Sequence, residues 1–235
     1  MAKAKQVPPK RLLKIPVPDF SEEKLLFQQG FRYVAGVDEV GRGCIAGPVV
    51  AAAVILPPGI KTRWLKRVRD SKLLDVRIRE ELSYYIRGEA VAFGIGTIES
   101  KVVDSNGIVF ATYSAMKLAI EQLSPAPEAL LIDYLELPGI KLKQKGVTDG
   151  DSLCLSIACA SIVAKVSRDH LMAELDAVYP GYGLADHKGY GTADHLKRLL
   201  EKGPCEIHRT SFQPVRDCIK SPRLEETAQK RKRQI

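Results

Sequence analysis

The segment Gly36-Val-Asp38-Glu39-Val-Gly41-Arg42-Gly43 constrains this chain more than any other. An apolar run ends in two adjacent carboxylates and passes at once into a Gly-x-Gly turn. A strand end with solvated acids is the plain alternative. Two further acids argue against it. Asp133 closes the apolar run Ala129-Leu-Leu-Ile, and Asp151 opens a long helical pattern. Acids at strand C-termini and at a neighbouring helix start can converge on one edge of an α/β sheet, where ligands bind. Gathered carboxylates repel unless a cation neutralises them, and hard oxygen ligands favour Mg²⁺ or Mn²⁺. Two such ions about 4 Å apart suit in-line phosphoryl displacement. An N-cap role competes for Asp151, and a turn role for Asp133.

Gly41-Arg-Gly43-Cys-Ile-Ala46 also matches a dinucleotide-binding fingerprint, G-x-G-x-x-A. That motif requires a helix next and an acid about 20 residues on. Gly47-Pro48 followed by Val49-Val50 and Val54-Ile55 favours a strand instead, and no acid lies between Val54 and Leu65. Gly41 and Gly43 are better read as letting backbone approach a ligand closely.

The patterning predicts a short helix over 19–29, with Ser21 as N-cap, and strands over 31–39, 49–56 and 90–98 forming an antiparallel meander. It predicts helices over 75–87 and 101–123, strands over 129–133 and 141–148, a long helix over 151–178 and a last helix over 192–201. Strands followed by alternating helix and strand indicate an α/β fold around a mixed sheet.

Composition narrows the classes. The chain has 235 residues, 45% hydrophobic and 27% charged, enough for a real core without disulfide staples. Five scattered cysteines (44, 154, 159, 205, 218) with no C-x-x-C pattern read as reduced thiols, so the cytoplasm is expected. The longest uncharged stretch, Cys44 to Ile60, is interrupted by Gly47, Pro48, Pro57 and Pro58. It falls short of the roughly 20 apolar residues of a membrane span, and no secretory leader is evident.

The net charge of +8 is unevenly spread. Residues 1–18, expected to be a flexible basic tail with four prolines, carry +5, and residues 220–235 carry +4, leaving the body at −1. Within the body, residues 61–79 carry +6, either as a solvated helix face or as a track for a phosphate backbone. If the partner is a polyanion, trimming both tails is expected to lower affinity and its salt dependence. Lys165 and Asp169 fit an i,i+4 pair, and His170, His187, His195 and His208 show no metal-ligand spacing and read as surface or structural.

The stretches Ala35-Gly-Val-Asp38-Glu39-Val-Gly-Arg-Gly43, Asp70-Ser-Lys72-Leu, Leu131-Ile-Asp133, Gly150-Asp151, Ser156 to Asp169, His187-Lys-Gly-Tyr190-Gly-Thr192 and His208 to Pro214 fall in order over residues 33–216. Together they resemble type 2 ribonuclease H, the ribonuclease HII family. The resemblance implies a ribonuclease H-like mixed sheet flanked by helices. It implies a catalytic core over 19–180 and a C-terminal helical segment over 181–219 that completes the substrate site. It implies a monomeric endoribonuclease that hydrolyses the RNA strand of RNA–DNA hybrids and cuts on the 5′ side of ribonucleotides embedded in duplex DNA. Asp38, Glu39, Asp133 and Asp151 then fall on four Mg²⁺- or Mn²⁺-binding catalytic carboxylates. Gly41, Arg42 and Gly43 fall on the turn that reads the ribose 2′-hydroxyl, and Lys72 and Tyr190 on substrate contacts.

A non-catalytic hybrid-binding protein on the same fold is the alternative, but it needs a broken acid set, and all four acids are present. The related type 3 enzymes carry a separate N-terminal domain, for which the roughly 30 residues before the first strand are too few. Two departures stand out. Tyr134 occupies a position usually held by glycine, and Asp149-Gly150-Asp151 replaces Lys-Gly-Asp. The spacing back from Ser161 matches Asp151 as the fourth acid, with Asp149 a possible substitute.

Overall fold

The computed structural model describes residues 16–220. The two basic tails therefore lie almost wholly outside the described residues. Five strands form one mixed sheet: β1 (Val34–Val40), β2 (Val49–Ile55), β3 (Ala92–Ile98), β4 (Ala129–Asp133) and β5 (Lys143–Val147), in the order β3-β2-β1-β4-β5. The expected meander is present, with β1–β2 and β2–β3 antiparallel, while β4 lies parallel to both β1 and β5.

β2 reads Val-Val-Ala-Ala-Ala-Val-Ile and is buried throughout, because helices cover both faces of the sheet. Small alanines let those helices approach closely. Side chains alternate between faces. Ala35, Val37, Ala51 and Ala53 pack on one side with α3 (Ser100–Asn106) and α4 (Ile108–Glu121). Ala52 and Val54 pack on the other with α2 (Val76–Glu89) and the long α6 (Leu155–Val178). α1 (Ser21–Gln28) covers the β4 end.

Gly36 marks the tightest contact between β1 and α6. A Cβ there would overlap the backbone of Ser156 and Ile157. Overpacking commonly costs about 1–3 kcal/mol, and more when backbone must move. Gly36→Ala is therefore expected to destabilise the fold by about 3 kcal/mol or more, read as a lowered urea midpoint. An unchanged midpoint would contradict this packing.

Four sequence expectations need correction. The helix expected over 101–123 is two, broken at Gly107 (φ 87°, ψ 161°). The helix expected over 151–178 is also two: α5 (Gly150–Leu153) and α6, separated by extended Cys154. The break is set from outside the segment. The Asp19 carbonyl accepts from Leu155 N, and the buried Glu23 carboxylate accepts from Ser156 N at 2.7 Å, capping α6 from α1. Ser21 is the first residue of α1, and Asp19 accepts its N–H. The basic stretch 61–79 is not one helix face: it is a 3-10 turn (Trp64–Arg67) and loop leading into the first turn of α2, with Arg67, Lys72 and Arg79 paired to acids.

Beyond residue 180 lie α7 (Leu184–His187), α8 (Ala193–Lys202) and α9 (Gln213–Ile219), so, as a fifth correction, the helix expected over 192–201 is not the last. They pack on the loop after β1 through Ile45, Leu199, Val215 and Cys218. Among the described residues, no helix is long and apolar enough to cross a membrane, and all five cysteines are free.

Candidate active site

β1 and β4 run parallel, with Val37 opposite Ile132. One step further along the same ladder are Asp38 and Asp133, so both acids reach the same C-terminal sheet edge. Asp38 lies on the α6 face, buried to 5% exposure, and its carboxylate accepts from Glu39 N at 2.7 Å and from the Ser161 hydroxyl. Glu39, one residue on, turns to the other face and meets Arg42 at 3.4 Å. Asp133 accepts from Gly150 N at 2.8 Å, which ties β4 to α5. Asp151, in the first turn of α5, is buried and receives Lys72 Nζ at 3.1 Å. Asp149 is exposed and left-handed (φ 54°). Of the two acids flanking Gly150, only Asp151 turns into this cluster.

The electrostatics follow from this crowding. Burial and then repulsion from Glu39 and Asp133 push the Asp38 carboxyl well above its ordinary range. Burial raises Glu39, which Arg42 partly offsets. Burial also raises Asp133, opposed by the Gly150 N–H. Among the described residues, no three His, Cys, Asp or Glu form a ready-made metal cage. Mg²⁺ rarely uses one: it keeps several waters and takes one or two carboxylates plus substrate phosphate. Mutually repelling, oxygen-only donors at the mouth of a cleft fit such an ion, and Asp38, Glu39, Asp133 and Asp151 are the residues that could hold it.

The cleft beside these acids is lined by Asp38, Glu39, the backbone of residues 40–43, Ser71, Lys72, Asp133, Ser161, Lys165 and Tyr190. Every residue singled out from the sequence except Asp151 lines it directly, and Asp151 meets it through Lys72. The two glycines of the turn differ. Gly41 has φ 94°, and a Cβ there would strike Arg168 and the Pro48 carbonyl, so the fold itself demands glycine. A Cβ at Gly43 would meet nothing, so the openness there belongs to the cleft.

Sequence reasoning missed the frame behind this wall. Arg168, fully buried in α6, donates to the carbonyls of Pro48 (3.0 Å), Lys188 (2.8 Å) and Ala46 (3.2 Å). It thereby joins the segment after the glycine turn to the loop that carries Tyr190. Arg209 donates to Gly47 O at 2.8 Å and Arg42 O at 2.9 Å. A run of Ser-Arg-Asp in a helix reads as a surface, and nothing local shows that this arginine points inward. The +6 stretch is partly engaged within the protein: Arg67 pairs with Glu81 at the surface, and the more buried Arg79 bonds Ser71 O and approaches Asp169 at 3.7 Å. Lys72 is the residue of that stretch that reaches the acids. The i,i+4 pair Lys165–Asp169 is present at 2.6 Å.

His170 is a surface residue paired with Glu80, while the other three histidines are structural. His187 stacks on His195 at 4.0 Å. His195 bonds the Tyr190 carbonyl at 2.9 Å and His208 at 3.1 Å. Burial and the neighbouring His195 push His208 down to about 4. The unfolded chain takes up this proton near pH 6.5, earlier than the folded one, so the contribution is whole above that pH and fades toward pH 4. The loss between pH 7 and 5 is about 2 kcal/mol. Thermal unfolding at both pH values should show a larger acid loss for wild type than for His208→Gln. Equal losses would contradict a buried neutral imidazole. The comparison isolates His208 from the active-site carboxylates, whose raised values titrate in the opposite sense.

A family profile described as Ribonuclease HII matches residues 35–215. A ribonuclease HII from Dehalococcoides mccartyi is 57% identical over 202 residues, covering 86% of this chain and 95% of that protein. Among solved structures, the ribonuclease H2 from Pyrococcus horikoshii superimposes with a TM-score of 0.68 at 22% identity, covering 80% of this chain and 97% of that one. Bst-RNase HIII in complex with Mn²⁺ superimposes with a TM-score of 0.64 at 19% identity, covering 80% and 69%. The fold is thus the ribonuclease H-like mixed sheet. With the profile spanning most of the chain and a relative this similar along nearly its whole length, the protein belongs to the ribonuclease HII family and is an endoribonuclease acting on RNA–DNA hybrids.

Proposed function

We propose that Asp38, Glu39, Asp133 and Asp151 hold Mg²⁺ or Mn²⁺ for hydrolysis on the 5′ side of a ribonucleotide, leaving 3′-hydroxyl and 5′-phosphate ends. The observation that carries this is the buried, mutually repelling acid cluster beside an open glycine turn. A bound divalent ion would activate water and stabilise the leaving oxygen. The chain's own residues do the rest. Asp38 and Asp133 are fixed by neighbouring strands, so their carboxylates need no reorganisation as charge develops. Gly41, Arg42 and Gly43 line the cleft, and their backbone reads the 2′-hydroxyl, the group that separates RNA from DNA. Lys72 bridges from Asp151 toward the substrate phosphate. The Tyr190 ring, 41% exposed and anchored through its carbonyl by His195, packs on the sugar at the RNA–DNA junction. Residues 181–219 complete the site by carrying that tyrosine. The five free thiols agree with a reducing compartment such as the cytoplasm.

The test is a labelled RNA–DNA hybrid incubated with Mg²⁺ or Mn²⁺ and the products' ends mapped. Internal cuts with 3′-hydroxyl ends, abolished by EDTA, are expected. Tight binding with no turnover after Mn²⁺ addition would replace this reading with a non-catalytic hybrid binder. Ends bearing a 2′,3′-cyclic phosphate would mean attack by the ribose itself, without the activated water.

A further inference from the structure

Tyr134 directly follows Asp133 and holds φ 63°, a left-handed conformation that a bulky residue adopts only at a cost. The turn imposes it: Tyr134 N donates to Val147 O at 2.9 Å and Leu135 N to Asp133 O at 2.7 Å. Glycine would meet that demand without strain. The tyrosine ring does not repay the strain by packing, because the residue is 72% exposed. Instead it lines a shallow cleft with Arg42, Val109, Thr112, Tyr113 and Leu135. Arg42 also lines the acid cleft, so the two clefts form one continuous surface on either side of that arginine.

We propose that Tyr134 is a substrate-binding residue. Its ring provides a packing face for a backbone sugar of the duplex neighbouring the cleavage position, on the far side of Arg42 from Tyr190. This rests on the hybrid-cleaving reading and extends it: the substrate is held by two aromatic rings, with the glycine turn between them. Base faces within a duplex are covered by their neighbours, and a sugar carries no base identity, so Tyr134 contributes affinity without base preference. The ring, not the hydroxyl, is what counts, so phenylalanine substitutes for it.

The experiment compares wild type, Tyr134→Gly and Tyr134→Phe on a short RNA–DNA hybrid. Steady-state KM and kcat are measured together with melting temperature. The glycine variant relieves the strained φ, so its melting temperature is expected to hold or rise, while KM rises about 5- to 10-fold and kcat stays within about threefold. The phenylalanine variant is expected to keep the wild-type KM. A glycine variant with unchanged KM overturns the proposal, as does a phenylalanine variant as weak as the glycine one. Failure of wild type to cut the hybrid would instead strike the underlying reading.

Discussion

Asp38→Asn is expected to abolish cleavage and, in the same preparation, to stabilise the metal-free protein. The substitution keeps an oxygen for the Glu39 N–H and the Ser161 hydroxyl but removes the charge at the centre of the acid cluster. Loss of a central ligand forfeits several kcal/mol of transition-state stabilisation, so hydrolysis should fall by about 10³-fold or more. Stability moves the other way. The Asp38 carboxyl is raised by burial and by Glu39 and Asp133. The unfolded chain therefore releases that proton at lower pH than the folded one, and the folded state loses stability as pH rises beyond 3.8. In chelator, the variant's melting temperature should exceed wild type at pH 7, with the gap closing in acid. A variant that is inactive and also less stable at pH 7 would mean that Asp38 supports the fold rather than enduring strain for the sake of a metal.

Arg168→Ala should give the largest stability loss. The side chain is fully buried and serves three carbonyls on two loops. Each buried acceptor left without a donor costs about 1–3 kcal/mol, so a total of about 4 kcal/mol is expected. Urea unfolding should show this as a shifted midpoint with unchanged slope. Arg168→Lys should recover less than half, because an ammonium cannot reproduce the planar fork that spans Pro48, Ala46 and Lys188. A lysine variant as stable as wild type would show that charge, rather than geometry, is what matters there. The loops concerned carry Gly41–Gly43 and Tyr190, so KM for a hybrid should rise in both variants even where the protein remains folded.

The parts of this molecule that were legible in the sequence are those governed by local pattern. Buried strands such as Val49–Ile55 and Ala129–Asp133 announce themselves as apolar runs, and the acids of the cluster end such runs or start a helix. What stayed hidden depends on distant partners. Cys154 breaks a helix because Asp19 and Glu23 reach across to cap the next one. Arg168 turns inward because three carbonyls await it, whereas its sequence neighbours Lys165 and Asp169 form the i,i+4 pair that their spacing offers. His195 and His208 bind each other across 13 residues, a spacing with no meaning until the loop folds. Of the basic stretch, composition showed the charge but not that Arg67 and Arg79 are engaged within the protein.

The most direct measurement is cleavage of two otherwise identical duplexes in Mn²⁺, one all-DNA and one carrying a single ribonucleotide. In the proposed mechanism the acid cluster supplies the hydrolysis and the Gly41–Gly43 turn supplies the choice of where it happens. One cut is expected, on the 5′ side of the ribonucleotide, with the all-DNA duplex intact. Equal cutting of both duplexes, or a cut that survives Asp38→Asn, would contradict the assignment of chemistry to these acids and of recognition to that turn.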